Sequence, residues 1–178
     1  MKSHARVVVI GGGVVGVSTL YHLAKKGWSD VVLVERKELT SGSTWHAAGL
    51  LPLFNMSYSV GQIHKYSVKF YQELQKETGM DVGFRNVSNI RLASNQERMD
   101  EFRQYAGVAS TIGVQVDFLT PEQVLDYWPM ANIEGLVGAI RHPQDGYIQP
   151  ADLTQALARG ARDRGAEIYR NTAVTAIT

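Results

Sequence analysis

Residues 5–16 read Ala-Arg-Val-Val-Val-Ile-Gly-Gly-Gly-Val-Val-Gly, an apolar run that passes directly into a glycine-rich turn. The run from Ala5 to Ile10 is typical of a buried parallel strand. The turn has the spacing G-x-G-x-x-G, and the residues from Val14 to Lys26 have the apolar periodicity of a helix. A second apolar run, Asp30 to Glu35, ends in an acid. This order of elements predicts a βαβ unit that binds a dinucleotide.

The residues of this motif have separate predicted roles. Gly11 permits the tight turn out of the strand, Gly13 lets a pyrophosphate approach the backbone, and Gly16 lets the helix pack close to the sheet. Glu35 lies 35 − 16 = 19 residues beyond Gly16, where an acid hydrogen-bonds a ribose hydroxyl. The pattern fits NAD and FAD equally well.

The start of the helix and the residue after the acid complete the predicted nucleotide site. The free amides at Val14 and Val15 face the phosphates. Arg36 follows Glu35 and could pair with a ribose 2′-phosphate. Because an acid in the ribose position repels a phosphate, an unphosphorylated ribose is favoured.

The composition of the 178 residues excludes several classes of protein. With 44% hydrophobic residues, 20% charged residues and a net charge of +1, neither nucleic acid nor an anionic membrane is indicated as a partner. The lack of cysteine excludes disulfides, thiolate metal sites and a redox dithiol. No apolar run is long enough to cross a bilayer, and no signal segment precedes the first strand, so we expect a cytoplasmic protein.

The loop after the second strand is rich in small residues. Residues 41–51 read Ser-Gly-Ser-Thr-Trp-His-Ala-Ala-Gly-Leu-Leu. The loop begins beyond the carboxyl end of the strand, on the edge of the sheet where ligands bind. Ser43 or Thr44 is predicted to cap a short helix that starts at Trp45.

Residues 39–50, Leu-Thr-Ser-Gly-Ser-Thr-Trp-His-Ala-Ala-Gly-Leu, resemble the FAD-attachment stretch of the dimethylglycine and sarcosine dehydrogenases. These enzymes belong to the D-amino-acid oxidase-like flavoproteins. Further segments occur in the order typical of that family, so the resemblance covers essentially the whole chain; they are residues 77–79, 90–93, 98–102 and 145–150.

The resemblance implies FAD as the cofactor, held covalently by a ring nitrogen of His46 on the 8α-methyl carbon of the flavin. Neutral imidazole is a nucleophile near physiological pH, which suits this role. The residues alone also allow His46 to pack beside the flavin or to cap the short helix. The resemblance places further cofactor contacts in the same loop and at one backbone position near the adenine, namely Gly42, Ser43, Thr44, Ala47, Gly49, Leu50 and Val174.

The activity implied for the intact enzyme is oxidative demethylation of dimethylglycine or sarcosine, with a hydride passing from the N-methyl carbon to flavin N5. The implied partners are a small N-methylated amino acid and an electron acceptor, either oxygen or an electron-transfer flavoprotein. The one-carbon unit leaves as formaldehyde or passes to tetrahydrofolate in a C-terminal region similar to the glycine-cleavage T protein.

Family enzymes are much longer than this chain, so we interpret it as the N-terminal part of such an enzyme. The residues that bind and deprotonate the amine are expected beyond Thr178, and the isolated chain is expected to be inactive. Two alternatives stay open: another amino-acid or amine oxidase with non-covalent FAD, and a regulatory homologue that lacks the oxidation.

The predicted fold is α/β: a Rossmann-like FAD-binding domain with a doubly wound parallel sheet, and the start of an antiparallel substrate-binding sheet. The FAD-binding portion is assigned to residues 1–81 and 143–178, and the substrate-binding portion to residues 82–142. Three parallel strands are expected, at Val7, Val32 and Ile168.

Local signals predict the remaining elements. Helices are expected at residues 60–78, 96–111, 121–128 and 150–164, with caps at Asn95 and Thr120 and a stop at Gly113. Strands are expected at residues 82–85, 89–93, 115–119, 136–141, 166–170 and 172–177. Arg91 could bind an amino-acid carboxylate, although a solvated position is favoured. His64 is expected to be structural or solvated, and His142 to lie in a turn.

Overall fold

The computed structural model describes residues 1–177. The strands of this part of the chain are β1 (Val7–Ile10), β2 (Val31–Val34), β3 (Leu50–Leu51), β4 (Arg85–Asn86), β5 (Asn89–Ala93), β6 (Asp117–Leu119), β7 (Gly138–His142), β8 (Gly146–Tyr147) and β9 (Glu167–Tyr169). The α-helices are α1 (Val14–Lys25), α2 (Tyr58–Thr78), α3 (Gln96–Ile112), α4 (Pro121–Tyr127) and α5 (Pro150–Arg162). A 3-10 turn spans Ser43–His46.

The chain forms two compact units. The first contains Met1–Gly49, Tyr71–Phe84 and the described chain from Ile148 onward, and the second contains Leu50–Phe70 and Arg85–Tyr147. These units are defined by their internal contacts and not by the ligands they bind. The division into FAD-binding and substrate-binding portions therefore stays a prediction.

The first unit is built on a parallel sheet in the order β1-β2-β9. Val8 pairs with Val32, and Leu33 pairs with Ile168, so the three expected parallel strands are confirmed. All four residues of β2 are buried, as a central parallel strand requires. Helices α1 and α5 approach each other closely because Gly160 of α5 has no side chain. A Cβ there would lie only 2.7 Å from the ring of Tyr21 on α1.

The second unit contains antiparallel sheets. One has the order β5-β7-β6 and the other has the order β3-β8-β4. The predicted helix signals are confirmed here: Asn95 Oδ1 accepts a hydrogen bond from the Arg98 amide at 2.8 Å, and Gly113 ends α3 with φ of 74°. Thr120 and Gln123 form the expected capping box at the start of α4.

Two predicted strands are wrong. Of residues 82–85 only Arg85 is in a strand, because Gly83 has φ of 67° and forms a turn in which its amide donates to Asp81 Oδ1. The apolar signal at Val82 reflects burial in a loop. Residues 172–177 form no strand either: Asn171 has φ of 54°, which turns the chain out of the extended conformation.

His142 also differs from its expected position in a turn. It is the last residue of β7, pairs with Asn89 and is fully buried. The turn begins one residue later. Other element ends differ from prediction by one to a few residues, as at β6 and β7.

Candidate functional site: a glycine-lined cleft

A cleft of about 290 Å³ lies in the first unit, where β1 and β2 end. It is lined by the glycine-rich turn, the start of α1, the residues after β2 and the first part of the small-residue loop. These are Gly11, Gly12, Gly13, Val14, Val15, Glu35, Arg36, Lys37, Ser41, Gly42, Ser43 and Thr44. The cleft therefore lies on the sheet edge where ligands of parallel α/β folds bind.

The glycines of the turn are required for different physical reasons. Gly11 has φ of 108°, which L side chains rarely adopt, and its amide donates to Val34 O at 2.9 Å. A Cβ on Gly16 would lie 2.0 Å from Gly11 O, so α1 could not keep its position with any side chain there. Gly11 therefore makes the turn, and Gly16 allows the helix to pack against it.

Glu35 is held at the cleft by backbone amides. Its Oε2 accepts from the Gly12 amide at 2.7 Å, and its Oε1 accepts from the Lys37 amide at 2.8 Å. An ionised carboxylate has about four acceptor positions, so two such bonds leave capacity for the hydroxyls of a ligand. Arg36 and Lys37 are exposed beside it, which adds positive charge to the rim.

Thr44 has a different role from the predicted one. The 3-10 turn begins at Ser43 and its N-cap is Gly42, so neither Ser43 nor Thr44 caps a helix that starts at Trp45. Thr44 is 7% exposed, and its Oγ1 accepts from the Val14 amide at 2.9 Å. Its side chain therefore caps α1, because the first amide of that helix has no acceptor within the helix. The Val14 amide is thus bonded to Thr44 and is not free to face a phosphate as predicted.

His46 is the last residue of the 3-10 turn and is exposed. Its ring centroid lies 4.6 Å from that of Trp45, whose side chain is also largely exposed. The loop is fixed again after His46, where Gly49 O accepts from the Ile148 amide at 2.8 Å. The imidazole is thus presented to solvent by a backbone that is held on both sides.

The cleft brings together nine of the predicted site residues, which are Gly11, Gly13, Val14, Val15, Glu35, Arg36, Gly42, Ser43 and Thr44. The other predicted residues do not line it. Gly16 lies behind the turn, His46, Ala47 and Gly49 follow the lining part of the loop, Leu50 belongs to the second unit, and Val174 is exposed near the end of the described chain.

Three lining residues were missed from the sequence: Gly12, Lys37 and Ser41. The reason for glycine at position 12 is visible only in the structure, where a Cβ would lie 2.9 Å from Glu35 Cβ and prevent the carboxylate from reaching the turn. Lys37 contributes its backbone amide to Glu35, which no side-chain pattern reveals.

The second unit contains a separate cluster of buried polar groups. The Arg91 guanidinium lies 4.0 Å from the centre of the Phe54 ring, so Arg91 is half-buried and not solvated as expected. His142 Nε2 lies 3.1 Å from the Tyr105 hydroxyl, which donates to Leu53 O at 3.2 Å. His142 is therefore a buried member of this cluster.

Burial shifts the titration of these groups. It lowers the pKa of His142 to about 4, helped by the Arg91 charge, and raises the pKa of Tyr105 to about 12. Burial also raises the pKa of Asp145 to about 6, although its Oδ1 accepts from the Leu53 amide at 2.9 Å. Asp145 Oδ2, His142 Nδ1 and Arg91 Nε have no hydrogen-bond partner among the described residues.

Residues 1–177 contain neither a metal-binding group nor a membrane-spanning helix. In that range no group of three or more histidine or acidic side chains is arranged to hold a metal ion. The helices of the same range are too short or too polar to cross a membrane.

The sequence matches a known family along nearly its whole length. The family model described as FAD dependent oxidoreductase matches residues 6–178. Mitochondrial dimethylglycine dehydrogenase of Rattus norvegicus is 43% identical over 99% of this chain, and mitochondrial sarcosine dehydrogenase of Homo sapiens is 40% identical over 99% of it. The chain spans 20% and 19% of these relatives' own lengths.

A solved structure agrees with the fold. The crystal structure of L-proline dehydrogenase from P. horikoshii superposes with a TM-score of 0.92 at 27% identity, covering 98% of this chain and 46% of that one. The parallel sheet and the glycine turn of the structure agree with the family match, which covers nearly the whole chain. This chain belongs to the family of FAD-dependent oxidoreductases.

Proposed function

We propose that the cleft binds the nucleotide part of FAD, with the pyrophosphate at the start of α1 and the adenosine ribose at Glu35. The observation that carries this proposal is the Glu35 carboxylate, which two backbone amides hold at the rim of a glycine-lined cleft. Family membership selects FAD where the glycine spacing alone allows NAD as well.

The residues of the cleft fit such a ligand. The lining at Gly11, Gly12 and Gly13 is bare backbone, so a phosphate can approach the main chain closely. The positive end of the α1 dipole favours an anion at this place. Glu35 keeps acceptor positions for ribose hydroxyls. Arg36 lies two residues beyond the end of β2 and lines the cleft.

We further propose that His46 binds the flavin covalently. Its imidazole is exposed and accessible at the end of the 3-10 turn. With FAD bound, a ring nitrogen of His46 would bond to the 8α carbon, one proton would leave that carbon and one the imidazole, and dioxygen would take up the two electrons released. Ala47, Gly49 and Leu50 then follow as the remaining loop contacts, and Val174 as a backbone contact near the adenine.

The activity proposed for the intact protein is oxidation of an N-methylated glycine. Bound FAD supplies the acceptor for the hydride that leaves the N-methyl carbon. Relatives at 43% and 40% identity are named dimethylglycine dehydrogenase and sarcosine dehydrogenase, which supports this substrate class. Tetrahydrofolate as the one-carbon acceptor, and oxygen or an electron-transfer flavoprotein as the electron acceptor, rest on the resemblance alone.

The test is acid precipitation of the longest natural form of the protein, followed by flavin absorbance of pellet and supernatant. We expect flavin in the pellet of the wild type and none in the pellet of His46→Ala. The control is His4→Ala, which should retain flavin in the pellet, because His4 is exposed near the N-terminus and does not line the cleft. Flavin in the supernatant would overturn covalent attachment while keeping FAD binding. A protein without flavin in either fraction would make the regulatory alternative the better one.

A further inference from the structure

Thr44 differs from its neighbours in the loop that carries His46. Ser43, Trp45 and His46 are exposed, whereas Thr44 is 7% exposed and its side chain reaches the start of α1. Its Oγ1 accepts from the Val14 amide at 2.9 Å. A short exposed turn is thus fixed to the first helix by one buried hydroxyl.

The approach of this hydroxyl to the helix is close. A Cβ on Gly13 would lie 3.0 Å from Thr44 Oγ1, so glycine at this position leaves room for the contact. A neutral hydroxyl satisfies the Val14 amide without placing a negative charge where an anion is favoured. A carboxylate in the same place would compete with a pyrophosphate for the helix terminus.

Other backbone bonds hold the same loop at different points. The Thr40 amide donates to Gly12 O at 3.0 Å, and the Ala47 amide donates to Thr44 O at 3.2 Å. His46 therefore lies two residues beyond the side chain that contacts α1, and between the two residues that the Ala47–Thr44 hydrogen bond joins. The backbone that carries the imidazole is thus joined to the start of α1 through the Thr44 side chain.

We propose that Thr44 is a positioning residue for His46: its bond to the Val14 amide places the imidazole relative to a dinucleotide held at the same helix start. This inference rests on the proposed function. It states that Thr44, which does not itself react, sets how fast FAD becomes attached to His46. In the attachment step His46 forms the nitrogen–carbon bond to the 8α carbon, two protons leave, and dioxygen takes up two electrons. Thr44 changes only how often the two atoms meet in the right geometry.

The experiment measures covalent incorporation of FAD into the full chain, prepared free of flavin and then supplied with saturating FAD. Acid-precipitable flavin is followed with time in Thr44→Val, which keeps the shape and lacks the acceptor, and in Thr44→Ser, which keeps the hydroxyl. We expect incorporation at least about tenfold slower in Thr44→Val and within about twofold of wild type in Thr44→Ser.

The matched control is Thr19→Val, the same change at an exposed threonine on α1, whose hydroxyl donates to Val15 O. It should leave the rate unchanged. If Thr44→Val does not fold, as judged by circular dichroism, Thr44→Ala removes the same acceptor with less bulk and takes its place.

A second readout separates positioning from binding. In the His46→Ala background, reversible FAD affinity is measured with and without Thr44→Val, and it should change much less than the incorporation rate does. Two results would overturn the role of Thr44 and leave the proposed attachment standing. One is covalent incorporation at the wild-type rate in Thr44→Val at saturating FAD, and the other is incorporation in Thr44→Ser as slow as in Thr44→Val. Reversible FAD binding without covalent flavin in the wild type would overturn both this role and the proposed attachment.

Discussion

At the level of single residues, Glu35 is the side chain on which we propose that recognition of the nucleotide depends. Each of its oxygens accepts one backbone amide, from Gly12 or from Lys37. Glutamine at this position has one oxygen, so its amide nitrogen would face one of those N–H groups. The substitution therefore removes the charge that a ribose hydroxyl would contact and also disturbs the orientation of the side chain.

We expect Glu35→Gln to weaken reversible FAD binding about 10- to 100-fold, because hydrogen bonds to charged groups contribute roughly 1.5–3 kcal/mol. The measurement is flavin fluorescence titration in the His46→Ala background, which keeps binding reversible. The matched control is Glu38→Gln, since Glu38 is exposed, pairs with Arg170 and does not line the cleft. Equal affinities for the two variants would show that Glu35 does not contact the nucleotide.

At the level of elements, the packing of α1 on the turn after β1 depends on the missing side chain of Gly16. A Cβ there would lie 2.0 Å from the backbone oxygen of Gly11, and a backbone atom cannot rotate away. We expect Gly16→Ala to lower the free energy of unfolding by about 3 kcal/mol or more, since overpacking costs roughly 1–3 kcal/mol even where neighbours can adjust. Urea denaturation followed by circular dichroism measures this change.

Gly107 provides the control for Gly16. It lies within α3 and is exposed, and beyond its chain neighbours and the backbone of its own helix no heavy atom lies within 4 Å of the place that an alanine Cβ would take. Gly107→Ala should raise stability by roughly 0.5–1 kcal/mol, because alanine loses less conformational freedom than glycine in a helix. A loss of stability in Gly107→Ala as large as that in Gly16→Ala would mean that the close approach at Gly16 is not the cause.

The elements that could be predicted from the sequence are those whose signals are local. The glycine spacing, the apolar run of β2, the Asn95 cap and the Thr120 capping box each depend on residues within a few positions of one another. The apolar Val82 predicts a strand, but its burial comes from a loop that turns at Gly83. Periodicity cannot separate these two causes of burial.

The candidate site shows the same limit. Gly11 and Glu35 can be predicted because a known motif places them together, and the loop from Gly42 because it resembles a known FAD-attachment stretch. The cap of α1 could not be predicted, since Thr44 and Val14 are 30 residues apart and no helix signal joins them. The alternation of residues along β5 predicts which face of the strand Arg91 lies on, but not what covers that face. In the structure Phe54 covers it, so Arg91 is not solvated.

At the level of the whole molecule, the dependence of stability on pH combines two buried groups that act in opposite directions. The folded-state pKa of His142, about 4, lies below its ordinary value of 6.5, so the unfolded chain binds more protons between these values and stability falls as pH decreases. The folded-state pKa of Asp145, about 6, lies above 3.8, so the folded chain binds more protons there and stability falls as pH increases.

Each shift corresponds to a contribution on the order of 3 kcal/mol, because one pKa unit is worth about 1.4 kcal/mol. Since the two windows overlap between about pH 4 and 6, the contributions of these two groups largely cancel there. The unfolding free energy of the wild type should therefore change less in that range than that of a variant lacking one of the two groups. The measurement is urea denaturation at half-unit steps from about pH 4 to 7.

Single substitutions should reveal the two slopes separately. Asp145→Asn keeps an oxygen for the Leu53 amide and removes the acid, so its stability should fall by about 2–3 kcal/mol on going from about pH 6.5 to pH 4. His142→Gln removes the imidazole, so its stability should rise by a similar amount on going from about pH 6 to pH 4. The slope is the readout, because a uniform loss of stability from altered packing shifts the curve without tilting it. Flat profiles in both variants would mean that neither group changes its titration on folding, and that the buried cluster around Phe54 and Tyr105 is open to water.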